Sequence, residues 1–120
     1  MVPSEHAATA RRYDETWAET DAARRLNTLR EIWAEDGLYT DPDVPEGIRG
    51  PRALSDFIAA SLDELPGLTI TATTDVAMLG DRAWYRWSAT TGDGQSFEGT
   101  DFIEFGVDGR IQRLTNFYDN

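Results

Sequence analysis

The sequence predicts an α+β fold in which three helices lie across the mouth of a strongly bent antiparallel sheet. Three observations lead there. Apolar residues recur at helical spacing through the first half of the chain, up to Leu65. Beyond Pro66-Gly67, β-favouring runs alternate with the turn signals Gly80-Asp81, Gly92-Asp93-Gly94 and Asp108-Gly109. Helices first and strands after is the order that puts helices on one face of a sheet. The 120 residues suit a single domain spanning 1–120.

The elements follow in order. Pro3-Ser4 and then EHAATARRYDETWAE read as a first helix, with Ser4 as N-cap and Glu5 in its first turn. Ala10, Tyr13, Asp14 and Trp17 fall at helical spacing, so Tyr13 and Trp17 share a face one turn apart. Asp21 can cap a second helix, AARRLNTLREIWAED, whose apolar stripe is Ala22, Leu26, Leu29, Ile32 and Trp33. Gly37 is expected to stop it by adopting a positive φ. A short strand over 38–41 follows, then a turn-rich loop, PDVPEGIRG. Gly50-Pro51 opens a third helix with the stripe Leu54, Phe57, Ile58, Ser61, Leu62 and Leu65. Four longer β segments are expected at 68–79, 83–90, 96–105 and 110–118, the last two joined by an Asp108-Gly109 hairpin.

Composition excludes several classes of function. The formal net charge of −11 argues against nucleic acid, whose phosphates need Lys and Arg, and against anionic membrane surfaces. Without cysteine there are neither disulfides nor thiolate-held metals. No His and carboxylate set has metal-ligand spacing and no Gly-rich loop suits a phosphate, so neither metal nor cofactor is expected. His6, the one histidine, reads as a solvated helix residue. No apolar run approaches the ~20 residues that span a bilayer, and the N-terminus lacks the apolar stretch of a secretory signal, so a cytoplasmic location is expected.

Two carboxylates stand out. In the strand over 96–105, Asp101 shares a face with Ile103 and Phe105. In the preceding strand Trp84, Arg86 and Ser88 share one face, Tyr85 and Trp87 the other; Arg86 is expected to face Asp101 across the pair. Desolvation would raise the Asp101 pKa and a guanidinium would lower it, a competition that tunes an acid or base, or that merely stabilises a structural pair. Leu114, Asn116 and Tyr118 share a face of the last strand. Asp41 ends the short strand beside Tyr39 and is followed by Pro42, a pattern that fixes a carboxylate at a rim and also commonly starts a turn.

The segments IWAEDGLYTDP (32–42), GIRGPRALSDFI (47–58), GTDFIEF (99–105) and DGRIQRLTNFY (108–118) resemble the nuclear transport factor 2-like superfamily, and within it the SnoaL-like polyketide cyclases and ketosteroid isomerases. The resemblance implies a cone-shaped, cystatin-like fold enclosing a pocket. Beside a ketosteroid isomerase, Asp41 falls on the general base and Asp101 on the protonated acid of the oxyanion hole, with Trp17 in place of the usual tyrosine and Tyr13 as a substitute. Tyr39-Thr40-Asp41 is also similar to the Tyr-x-Asn step of limonene-epoxide hydrolases, with Asp101 as their base, Arg86 near their bridging arginine and Ser88 where their second acid stands. What the resemblance implies is a cofactor-independent enzyme with Asp41, Asp101 and Arg86 catalytic. Its apolar wall of Trp17, Phe57, Trp84, Leu114 and Tyr118, completed by Tyr13, Tyr39, Ser88 and Asn116, would take a small hydrophobic, cyclic molecule. The superfamily also contains epoxide hydrolases and non-catalytic binding modules, so reaction type does not follow from fold. Homodimerisation is implied too, with Tyr85, Trp87 and Phe102 as candidates for the outer face.

Overall fold

The computed structural model describes residues 3–119, with side chains from 5 to 118. Helix α1 spans Pro3–Glu15 and runs into a single 3-10 turn, Thr16–Ala18. The Ser4 side chain, expected to cap it, lies outside the described side chains. Helix α2 spans Ala22–Ile32 and strand β1 Trp33–Asp41. Next come β2, Val44–Arg49, and α3, Pro51–Glu64. The meander follows: β3 Thr69–Ala72, β4 Ala77–Leu79, β5 Arg82–Thr90, β6 Ser96–Phe105 and β7 Ile111–Asp119.

Local chemistry sets the helix ends. The Asp21 carboxylate accepts from Arg24 N at 3.0 Å and caps α2. Gly50 caps α3 at φ 91°, a conformation that favours glycine, and Pro51 takes the first helical position, where no N–H is needed. Leu54 and Ile58 then fall one turn apart and are fully buried. Arg25 is buried as well; its Nε donates to Ser55 Oγ at 3.1 Å and a terminal nitrogen to the Glu19 carbonyl at 2.6 Å, tying α2 to α3.

One seven-stranded sheet runs in the order β2-β1-β7-β6-β5-β3, with β4 also pairing β5. It is mixed, not wholly antiparallel: β1 lies parallel to β7. The helices and the concave face of the sheet enclose the core, which includes Leu29, Ile32, Trp33, Leu54, Ile58, Ile103, Phe105, Ile111 and Leu114.

Two expectations about the first half need correction. The second helix stops at Ile32, four residues before the predicted end, and Trp33 opens β1. The Trp33 indole N–H donates to the Gly37 carbonyl at 3.0 Å, so the aromatic that looked like the end of a helical stripe instead pins a strand. Gly37 does not adopt positive φ; a Cβ there would sit 2.5 Å from Trp33 Nε1 and 2.9 Å from the Ile111 carbonyl, so close approach demands the glycine. The loop over 42–50 is largely strand β2, paired to β1. His6 also departs from expectation: it is buried and stacks on Phe105 at 4.2 Å, because the α1 stripe extends one turn further toward the N-terminus than Ala10.

Among the described residues no helix is long and apolar enough to cross a membrane. The close approach at Gly37 gives a direct test. Gly37→Ala should lower stability by about 1–3 kcal/mol, the usual range for overpacking, read from urea unfolding; unchanged stability would show that the Trp33 ring moves aside freely.

Candidate active site

A cavity of about 510 Å³ opens between the helices and the concave face of the sheet. Its lining includes Asp41, Asp101, Tyr13, Trp17, Tyr39, Phe57, Asn116 and Tyr118 from the sequence-derived set. Trp17 and Phe57 meet edge to face at 6.2 Å, and Tyr39 meets Phe57 at 5.3 Å, so rings from three elements form one side. Leu68, Ile70 and Phe97 extend the apolar surface toward the open end.

Asp101 is a buried carboxyl in this wall. It is 4% exposed, and its Oδ1 has no hydrogen-bond partner. Burial pushes its pKa from 3.8 up to about 7, opposed by the nearby Tyr85 hydroxyl and Trp87 N–H and reinforced by the Asp14 charge. Neither Tyr85 Oη nor Trp87 Nε1 closes a hydrogen bond of normal geometry, so these two buried donors lie near Asp101 without satisfying it. Trp87 fits against its neighbour strand because Gly99 lies opposite it; a Cβ at Gly99 would be 2.4 Å from the indole.

Asp14, whose role the sequence did not assign, lines the same end of the cavity. Burial raises its pKa to about 6, opposed by the nearby Tyr85 hydroxyl. It sits on the same helical stripe as Tyr13 and Trp17, and that spacing was the signal that could have found it. Tyr13 is buried, and burial, then the Asp101 charge, holds its phenol well above the usual range. Its oxygen accepts the Trp17 N–H at 3.0 Å. The Tyr13 proton remains available to donate into the cavity.

Asp41 occupies the opposite rim. Its Oδ1 accepts from Asp43 N at 2.8 Å and Val44 N at 2.9 Å, and its Oδ2 from the Tyr39 hydroxyl at 2.8 Å. Asn116 Nδ2 donates to the same Tyr39 oxygen at 3.2 Å. The turn-starting and rim-fixing readings of Asp41 therefore describe one arrangement: it caps the β1–β2 turn while facing the cavity.

Four expected site residues are placed elsewhere. The β5–β6 register pairs Tyr85 with Asp101 and Arg86 with Thr100, so Arg86 projects from the convex face, where it donates to Thr100 Oγ1 at 2.9 Å. Trp84 and Ser88 alternate with it on that face, and Trp84 is 44% exposed. Leu114 points inward but is fully buried in the core and does not line the cavity. The same register moves Tyr85 and Trp87 from the outer face, where they were expected, to the inner one. The correspondence with limonene-epoxide hydrolases loses its arginine and the position of its second acid. Among the described residues, no group of three or more His, Cys, Asp or Glu could hold a metal ion.

A sequence model of the SnoaL-like domain matches residues 10–114. The chain belongs to the SnoaL-like domain family. It is similar to a candidate isomerase of the SnoaL-like family from Agrobacterium tumefaciens, at 26% identity and TM-score 0.88, covering 98% of this chain and 99% of that one. A candidate ketosteroid isomerase from Kribbella flavida matches at 29% identity and TM-score 0.75, over 98% of this chain and 79% of that one. A protein of cystatin-like fold from Methylobium petroleophilum is 17% identical with TM-score 0.83, over 100% and 79% of the two chains. No curated protein matches the sequence. The fold of this SnoaL-like chain is therefore cystatin-like α+β, with an open curved sheet.

The raised Asp101 pKa has a thermodynamic sign. The folded state holds this proton more tightly than the unfolded chain, so the stabilisation is full below about pH 4 and is lost as pH rises through about 7. Asp101→Asn has no charge to bury. It should gain on the wild type by at least about 2 kcal/mol between about pH 5 and pH 8. Parallel urea stability profiles for the two proteins would mean that the Asp101 carboxyl is not desolvated.

Proposed function

We propose that this SnoaL-like chain is a cofactor-independent acid–base enzyme that moves a proton on a carbon next to a carbonyl of a small, hydrophobic, cyclic molecule. Isomerisation and cyclisation are the reactions of this type. The observation that carries the reading is Asp101, a buried carboxyl with an unpartnered oxygen and a pKa pushed up to about 7 at the floor of an aromatic cavity. A carboxylic acid that retains its proton in about half of the molecules at pH 7 is a hydrogen-bond donor in that form, and a donor aimed at a carbonyl oxygen stabilises the enolate that forms when the adjacent carbon loses its proton. The likeness to the candidate isomerases supports the same reading.

The roles divide as follows. Asp41 takes the proton from carbon. Its three hydrogen bonds hold its orientation without moving it from the rim. Asp101 and the Tyr13 hydroxyl steady the developing oxyanion. Trp17 does not donate to substrate, since its N–H is spent on Tyr13; there it polarises the phenol and compensates for the missing tyrosine at its own position. Arg86 has no part in this scheme, because it lies beyond the sheet.

The second copy implied by resemblance is proposed on the convex face. Trp84, Phe102 and Phe117 stand together there across β5, β6 and β7, at 44%, 37% and 60% exposure. Phe117→Glu would place a charge in that contact.

Turnover can be followed as isomerisation of β,γ-unsaturated cyclic ketones, or as solvent deuterium uptake beside the carbonyl. Asp41→Asn should cut kcat by about 10²–10⁴, and Asp101→Leu and Tyr13→Phe each by about 10²–10³. Full activity in Asp41→Asn would remove it as the base. For assembly, sedimentation at micromolar concentration should show a wild-type dimer and a Phe117→Glu monomer; a wild-type monomer would end the dimer proposal.

A further inference from the structure

The cavity has one-sided electrostatics. Asp14, Asp41, Asp43, Glu64 and Asp101 all line it, while among the described residues no Lys, Arg or His does. The remaining lining is dominated by aromatic faces, among them Tyr13, Trp17, Tyr39, Phe57, Trp87 and Phe97. The whole chain, at −11, deepens the same potential, and a low-dielectric cleft concentrates it. Such a site repels carboxylates, phosphates and sulfates before contact. It attracts groups of the opposite kind, since aromatic faces and carboxylates are the two surfaces that hold ammonium ions.

An acidic lining alone would be no more than a solvated rim. Here the inner end is buried and unsatisfied. Asp101 is 4% exposed with Oδ1 unpartnered, and it faces the cavity. The nearby polar groups compete for too few partners: the Tyr85 hydroxyl lies between Asp14 and Asp101 and closes a bond of normal geometry with neither. A bound donor that carries positive charge would relieve this deficit. A neutral or anionic ligand would leave the Asp14 carboxylate uncompensated.

We propose that the molecule taken into this cavity is a hydrophobic organic cation, an amine or quaternary ammonium whose charge is met by Asp14 beside Asp101 and by the surrounding ring faces. The inference rests on the acid–base reading for the idea that this ligand is a substrate; the binding claim stands on the lining. The cation would sit beside Asp14, leaving Asp41, Asp101 and the Tyr13 hydroxyl for the carbonyl-bearing part of the same molecule. Charge selection and proton transfer then use different carboxylates.

The test uses one cage with three charges. 1-Aminoadamantane, 1-adamantanol and 1-adamantanecarboxylate are titrated calorimetrically into the full chain near pH 8. Cationic, neutral and anionic probes then share one shape. The amine should bind at least tenfold tighter than the alcohol, and the carboxylate should not bind. Raising sodium chloride from about 20 mM to 500 mM should weaken the amine and spare the alcohol. Lowering the pH to about 5 should erase most of the preference. The groups facing Asp14 there are Tyr85 from β5, Asp101 from β6, and Tyr13 and Glu15 from its own helix; Asp14 and Asp101 gain protons, while the amine, like a lysine, stays charged. Asp14→Asn should lose the preference and keep alcohol binding, which also reports that the cavity is folded. Equal or tighter binding of the alcohol by the wild type, or no binding of any cage at millimolar concentration, would overturn the proposal. Cation binding with no turnover of any carbonyl compound would leave this inference intact and remove the catalytic reading. Turnover of neutral ketones without a preference for the amine would do the reverse.

Discussion

Asp101 is a carboxyl group held among indole, phenol and hydrocarbon with one oxygen left over, and the inner half of the molecule is organised around that unmet demand. Desolvation pushes its pKa up to about 7. Its neighbours offset this only in part: the Tyr85 hydroxyl and the Trp87 N–H lower the pKa, and neither closes a hydrogen bond of normal geometry. The cost of burying a polar group this way is a few kcal/mol, and folded proteins tolerate it where it serves recognition or chemistry. The helices above the sheet exclude water from Asp101, which raises its pKa above that of an exposed carboxyl.

The two ends of the cavity solve opposite problems with the same side chain. At the rim, Asp41 is given three donors and a proline behind it, so its position is set by its own turn. On the floor, Asp101 is given almost none. Tyr39 and Asn116 connect the two regions: Tyr39 donates to Asp41 and accepts from Asn116, which lies opposite Asp101 on β7. The two carboxyls thus differ in hydrogen bonding: Asp41 accepts three bonds, and Asp101 Oδ1 accepts none of normal geometry.

Much of this was legible in the sequence. The third helix was framed by Gly50-Pro51 and Pro66-Gly67, and the β6 strand carried its alternation from Ser96 to Phe105 without a break. The first half was harder. Trp33 prolongs a helical stripe as convincingly as it opens a strand, and only its tertiary bond to Gly37 decides between them. The β5 side chains failed for another reason. Alternation divides Trp84, Arg86 and Ser88 from Tyr85 and Trp87, but both sets are aromatic, so composition does not say which faces inward. Register does. Pairing Thr90 with Ser96 at the hairpin and counting back brings Tyr85, not Arg86, opposite Asp101. That inference was available from the strand ends alone. The unmet bonding of Asp101 was not, since it depends on four elements packing at once.

Gly99 shapes the sheet by what it lacks. By offering no side chain, it leaves a trough in the sheet into which the Trp87 indole settles. The width of the chamber above is thus decided by one absent methyl group. Descent with a bulkier residue at that spot would tip the indole upward, narrow the chamber, and redirect the protein toward smaller guests while its acids stayed in place.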